Sequence, residues 1–122
     1  MVLASNTAYG AGYGSPVSKA PREIEYELFA RVTRALQSLA QNDRGASAAQ
    51  AIVHNSQLWT ELAADLASDA NELPADLKAR LLSLAMYSIR HGNRVISGSG
   101  AVAPLIDINL NIMKGLRARG GE

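Results

Sequence analysis

The stretch SAAQAIVHNSQLWTELAADL, residues 47–66, holds the only tryptophan of the chain. Ile52, Asn55, Trp59, Leu62 and Leu66 recur in it at intervals of three, four, three and four. That spacing lines one face of an α-helix. Ser47 and Gln50 have the form of a capping box, so the helix is expected to start there and run to about Ala70. On a helix Asn55 lies about 40° from Trp59, and Ile52 about 20°. Asn55 therefore shares the apolar stripe, while His54 points away from Trp59. A buried amide without partners costs about 1–3 kcal/mol. Asn55 must bond to a neighbouring helix, to water or to an arriving group. It is either a polar pin that fixes helix register or a partner contact. Trp59 is expected in the core.

The same pattern recurs on both sides. In PREIEYELFARVTRALQSLAQND, residues 21–43, Ile24, Leu28, Val32, Leu36 and Leu39 form a stripe that Phe29 widens. Pro21 fits a first helical turn, and Gly45 is the expected stop. After NELP, residues 71–74, Pro74 opens a third helix that reaches Ile96, although Gly92 weakens it. Leu77, Leu81, Leu82, Leu84, Ala85, Met86 and Ile89 cover most of its circumference, which predicts a central position. Its polar line is Arg80, Ser83, Tyr87, Arg90 and Arg94, read as a solvated face or as a stripe for an acidic partner. SGSGAVAP, residues 97–104, is a loop by composition. Pro104 starts a shorter fourth helix, whose last basic residues suit a helix C-terminus.

No strand alternation of useful length is present. Helices of matched length, roughly 30–36 Å at 1.5 Å per residue, joined by short connections predict an all-α fold: a small antiparallel bundle of about four helices over residues 21–118. Residues 1–20, rich in Gly, Ala and Ser, are expected to be a flexible N-terminal tail. Tyr9 and Tyr13 could dock it on the domain or on a partner.

The 122 residues suffice for one domain with one core. A net charge of +1 gives no general attraction to nucleic acid or anionic lipid. The absence of cysteine removes disulfides, thiolate nucleophiles and cysteine-held zinc from consideration. No secretory leader pattern and no run of about 18 apolar residues is seen.

Catalytic patterns are equally sparse. His54 and His91 fall on different expected helices, each without a local ligand partner, and replacing both is expected to leave function intact. No His-Glu-x-x-His, phosphate-binding glycine loop or nucleophile elbow occurs. GAGYG, residues 10–14, follows no strand and opens no helix. Asp65 and Asp69 read as solvated. No enzyme activity, cofactor or metal is expected. Basic residues interleave with acidic ones, so nucleic acid is not an expected partner.

Four stretches together carry a resemblance. They are APREIEYELFARVT (20–33), the Asn55-to-Trp59 spacing, NELPADLKARLLSLA (71–85) and PLIDINLNIMKGL (104–116). In this order they resemble FlaF, the flagellar biosynthesis regulator family of alphaproteobacteria. The matching residues are Arg22, Glu25 and Tyr26; Asn55 and Trp59; Leu73, Pro74, Leu77, Arg80, Ser83, Leu84 and Ala85. In the last helix they are Pro104, Leu105, Ile106, Asn109, Ile112, Gly115 and Leu116. Ala8–Tyr9 also fits, whereas GAGYG and His54 lie outside the shared pattern. The resemblance implies a small, non-enzymatic cytoplasmic protein needed for flagellin synthesis and export. It would bind flagellin in a chaperone-like manner, alongside FlbT, a regulator that restrains flagellin translation. Action mainly through FlbT or flagellin mRNA is the alternative.

The fourth helix carries two apolar lines. Leu105, Ile108, Ile112 and Leu116 have the more regular spacing and are expected to pack inward. Ile106, Leu110 and Met113 are then left partly open, a surplus suited to a partner helix. The expected partner-binding residues are these three together with Tyr26 and Asn109, two of the positions that the resemblance shares. Asn55, Trp59, Leu84 and Ile112 are expected to hold structure and register.

Overall fold

The computed structural model describes residues 21–41 and 46–120. The expected tail and the Gly45 stop lie outside them. Four α-helices follow one another: α1 (Pro21–Gln41), α2 (Ala46–Ala67), α3 (Ala75–Ile96) and α4 (Ala103–Gly120). No strand occurs among the described residues. The described residues form an all-α four-helix bundle.

Two apolar clusters fix the helix directions. One gathers Leu36 and Leu39 from late α1, Ala51 and Ile52 from early α2, and Leu105 and Ile106 from early α4, with Val95 from late α3. The other joins Phe29 from early α1, Leu58, Trp59, Leu62 and Leu66 from later α2, Leu81 and Ala85 from early α3, and Leu116 from late α4. The start of each helix therefore lies beside the end of its sequence neighbour, which is up-down-up-down topology. α2 packs closely on α3, and α1 on α4; α1 meets α2 less extensively, and α3 barely meets α4. α1 and α3 face each other across the diagonal, as do α2 and α4.

Local chemistry explains most of the boundaries. Pro74 stands directly before α3 with φ −56° and ψ 147°, a conformation its ring favours. Ahead of it, Asn71 is buried; its Oδ1 accepts from Leu73 N at 3.0 Å and its Nδ2 donates to Asp65 Oδ2 at 3.2 Å. This Asx turn closes the α2–α3 connection. α3 ends where Gly98 takes φ 89°, while Ser97 N, Gly98 N and Ser99 N donate to the carbonyls of Asn93, Val95 and Arg94. These bonds satisfy carbonyls that the helix end would leave bare.

Two expectations are corrected here. α2 begins at Ala46 and stops at Ala67, so Ser47 sits inside the first turn rather than in front of it, and the capping box is not at that position. α3 is not central: Met86 is 49 % and Tyr87 44 % exposed. The most enclosed helix is α2, which buries Ala51, Ile52, Asn55, Leu58, Trp59, Leu62 and Leu66. α3 runs through Gly92 to Ile96, as expected, and the glycine is a contact point. A Cβ there would stand 3.1 Å from both Ile52 Cγ2 and Ser56 Oγ, so the missing side chain lets α2 and α3 approach.

Candidate partner-binding face

The polar centre of the bundle is built from three helical side chains. Trp59 Nε1 donates to Asn109 Oδ1 at 3.0 Å, and Asn109 Nδ2 donates to Asn55 Oδ1 at 2.8 Å. All three residues are fully buried. Asn55 falls between Ile52 and Leu58, and Asn109 between Ile106 and Leu116, so on both helices the amides sit where one apolar cluster gives way to the other. The bonds tie α2 to α4 across the bundle diagonal, where the two backbones do not approach closely. Phe29 meets the Trp59 ring edge-on at 5.6 Å and 78°, a favourable aromatic geometry. Asn55 Nδ2, Thr33 Oγ1 and Ser88 Oγ, also buried, meet no hydrogen-bond partner among the described residues.

Asn109 and Ile106 were expected at a binding surface; both are in the core. The reason is Trp59. Its indole N–H reaches the middle of the bundle and needs an acceptor there. Asn109 supplies one, and its own amide is then satisfied by Asn55. With Asn109 inward, α4 is rotated so that Leu105, Ile106 and Leu116 are buried. Ile108 and Ile112, expected to pack inward, are half-buried and pack against the larger cluster. Leu84, expected to be structural, is also half-buried and packs against the larger cluster.

Three of the five expected contact residues remain accessible and share one flank. Leu110 is 42 % exposed, and Met113 and Tyr26 are half-buried. At roughly 100° per residue, Leu110, Met113 and Arg117 lie on the side of α4 that turns toward α1. Arg117 Nη2 donates to Tyr26 Oη, and its guanidinium stands 5.3 Å from the Tyr26 ring centroid, within cation–π range. Tyr26, Leu110 and Met113 thus edge the α1–α4 seam, with the Arg117–Tyr26 clasp at its end.

The histidines separate. His54 is exposed on α2. His91 is buried, with Nε2 2.6 Å from Ala101 O, and it stacks on Tyr87 at 5.4 Å and 9°. It latches the α3–α4 loop, so removing both histidines would not be structurally silent. Sequence reading missed Asn71 and His91; an Asn three residues before a Pro was the available signal for the first, and the second had none. A shallow groove between α2 and α3, lined in part by Val53, Thr60, Asn93 and Ile96, gathers no set of groups suited to catalysis. No group of three or more His, Cys, Asp or Glu able to hold a metal occurs among the described residues. No described helix is long and apolar enough to cross a membrane.

No curated protein and no solved structure matches the chain. A family model described as Flagellar protein FlaF matches residues 5–116, which takes in the buried Asn55–Asn109–Trp59 centre and the accessible flank of α4. The chain belongs to the FlaF family of flagellar proteins.

Proposed function

We propose that this flagellar protein is a non-catalytic, cytoplasmic flagellin-binding factor that supports flagellin synthesis and export. Leu110 carries the reading. It is a large apolar side chain left 42 % exposed beside half-buried Met113, on a helix whose inner line already suffices to dock it. An amphipathic helix of flagellin, unpaired before assembly, can lay its apolar face along such an edge. Tyr26 adds an aromatic contact of the kind enriched at binding hot spots. Burying Leu110 and Met113 removes apolar surface from water at about 25 cal/mol per Å², which favours binding without chemistry. Action through FlbT would use the same protein surface with a different partner.

The test is calorimetric titration with a carboxy-terminal flagellin segment. Leu110→Glu should weaken binding at least about tenfold, or 1.4 kcal/mol, while circular dichroism shows an intact fold. Asn111→Glu, exposed on another side of α4, should bind as wild type does. Normal binding by Leu110→Glu, or equal loss in both variants, would sink the assignment.

A further inference from the structure

Between Lys78 and Ile106 the sequence has four basic residues, Lys78, Arg80, Arg90 and Arg94, and no carboxylate. The small net charge of the whole chain conceals this run. Arg80, Arg90 and Arg94 are exposed on α3, as are Ser83, Met86 and Tyr87. Arg80, Ser83, Tyr87, Arg90 and Arg94 follow one another at three, four, three and four residues, so they form a straight line along the helix. From Arg80 to Arg94 it extends about 21 Å at 1.5 Å per residue.

A solvated face ordinarily accounts for such a line, but this one has three additional properties. First, Tyr87 lies in the middle of it and Met86 beside it, 44 % and 49 % exposed. Arg, Tyr and Met are the residue types enriched in interface cores. Second, the Tyr87 ring is held in place: it stacks on His91, which is fixed by Ala101 O. A pre-ordered aromatic loses less entropy on binding. Third, the arginines are largely unneutralised. Arg80 has a single exposed contact to Asp76 at 3.7 Å, and Arg90 and Arg94 have no carboxylate partner among the described residues.

We infer that the outer face of α3 is a second docking surface, for an acidic amphipathic helix of a partner protein. Carboxylates at three- and four-residue spacing would meet Arg80, Arg90 and Arg94, and an apolar side chain between them would cover Tyr87 and Met86. A protein helix fits better than RNA. The line is straight over four turns, it has apolar surface a phosphate backbone would not use, and the net charge of +1 provides little steering for a polyanion. This surface is separate from the Leu110 flank, so either can fail without the other.

The full chain, isotopically labelled, is titrated with a synthetic amphipathic Glu/Leu helix of about the length of the arginine line, and separately with single-stranded oligouridylate. Amide shifts report the contact site. The peptide should move signals between residues 80 and 94. Its affinity should fall at least about tenfold in Arg90→Glu/Arg94→Glu and clearly in Tyr87→Ala, and remain unchanged in Leu110→Glu. Arg90 and Arg94 are exposed, so the double variant keeps the fold, which its amide spectrum verifies. Absence of peptide binding, equal binding by the double variant, or oligouridylate occupying this face in place of the peptide would each overturn the inference.

Discussion

α3 has two neighbours and treats them differently. Against α2 it is tight: Ala85, Ser88 and Gly92 are buried, and the Gly92 backbone sits against Ile52 and Ser56. Against α4 it is loose. Leu77 and Leu84 on α3, and Ile108 and Ile112 on α4, are half-buried, and a Cβ on Gly115 would meet nothing within 4 Å. Small side chains let two helix axes close up, whereas Leu and Ile hold them apart. The closed side of the molecule is therefore set by what α3 lacks as much as by what it has. α4 is kept in place by α1, by the His91 latch on its leading loop and by the amide bridge from Asn109.

The largest break in this arrangement should come from the centre that both sides share. Trp59→Ala removes a fully buried ring that packs on Phe29 and donates to Asn109. Such truncations cost about 3–5 kcal/mol, a large part of the roughly 5–15 kcal/mol that holds a domain together. Thermal unfolding should shift far down; an unchanged midpoint would show that the indole does not support the fold.

Asn109→Ala comes next. It strands the Trp59 N–H and the Asn55 Oδ1, each a loss of about 1–3 kcal/mol when no substitute partner is found. Because these bonds cross the bundle, combining Asn109→Ala with Asn55→Ala should cost less than the sum of the two single changes. Strict additivity in urea unfolding would contradict the bridge.

The two glycines contrast the tight and loose sides most directly. Gly92→Ala places a methyl 3.1 Å from Ile52 and Ser56. Overpacking of about 1–3 kcal/mol should outweigh the gain of about 1 kcal/mol in helix propensity, leaving a net loss. Gly115→Ala meets no atom, so only the propensity gain operates, and the unfolding midpoint should rise slightly. The same sign for both would mean that the two sides do not differ.

The helices were legible in the sequence because local rules set them. The three- and four-residue spacing in residues 51–66 is obeyed by every buried position of α2 from Ile52 onward; Leu58, three residues after Asn55 and four before Leu62, widens the stripe beside Trp59. Pro74 marks the start of α3 because its φ is fixed whatever lies around it. The placement of Trp59 and Asn55 within the apolar stripe was also readable, since both lie within about 40° of its middle. The rim formed by Tyr26, Leu110 and Met113 was named residue by residue, but its place beside α1 was not.

What only the tertiary structure decided is the rotation of α4 and the place of α3. Spacing favoured the Leu105, Ile108, Ile112 and Leu116 line of α4, but it did not say how far the helix turns from that line toward the other. That turn depends on a single acceptor for the Trp59 N–H, fifty residues away in sequence, and that drew Asn109 and Ile106 inward and left Leu110 outside. In the same way the count of apolar residues on α3 suggested a central helix, because hydropathy records how much surface could be buried, not which neighbour comes close enough to bury it. Periodicity fixes which residues share a face of a helix; what that face meets is settled by long-range hydrogen bonds and by the size of side chains on other helices.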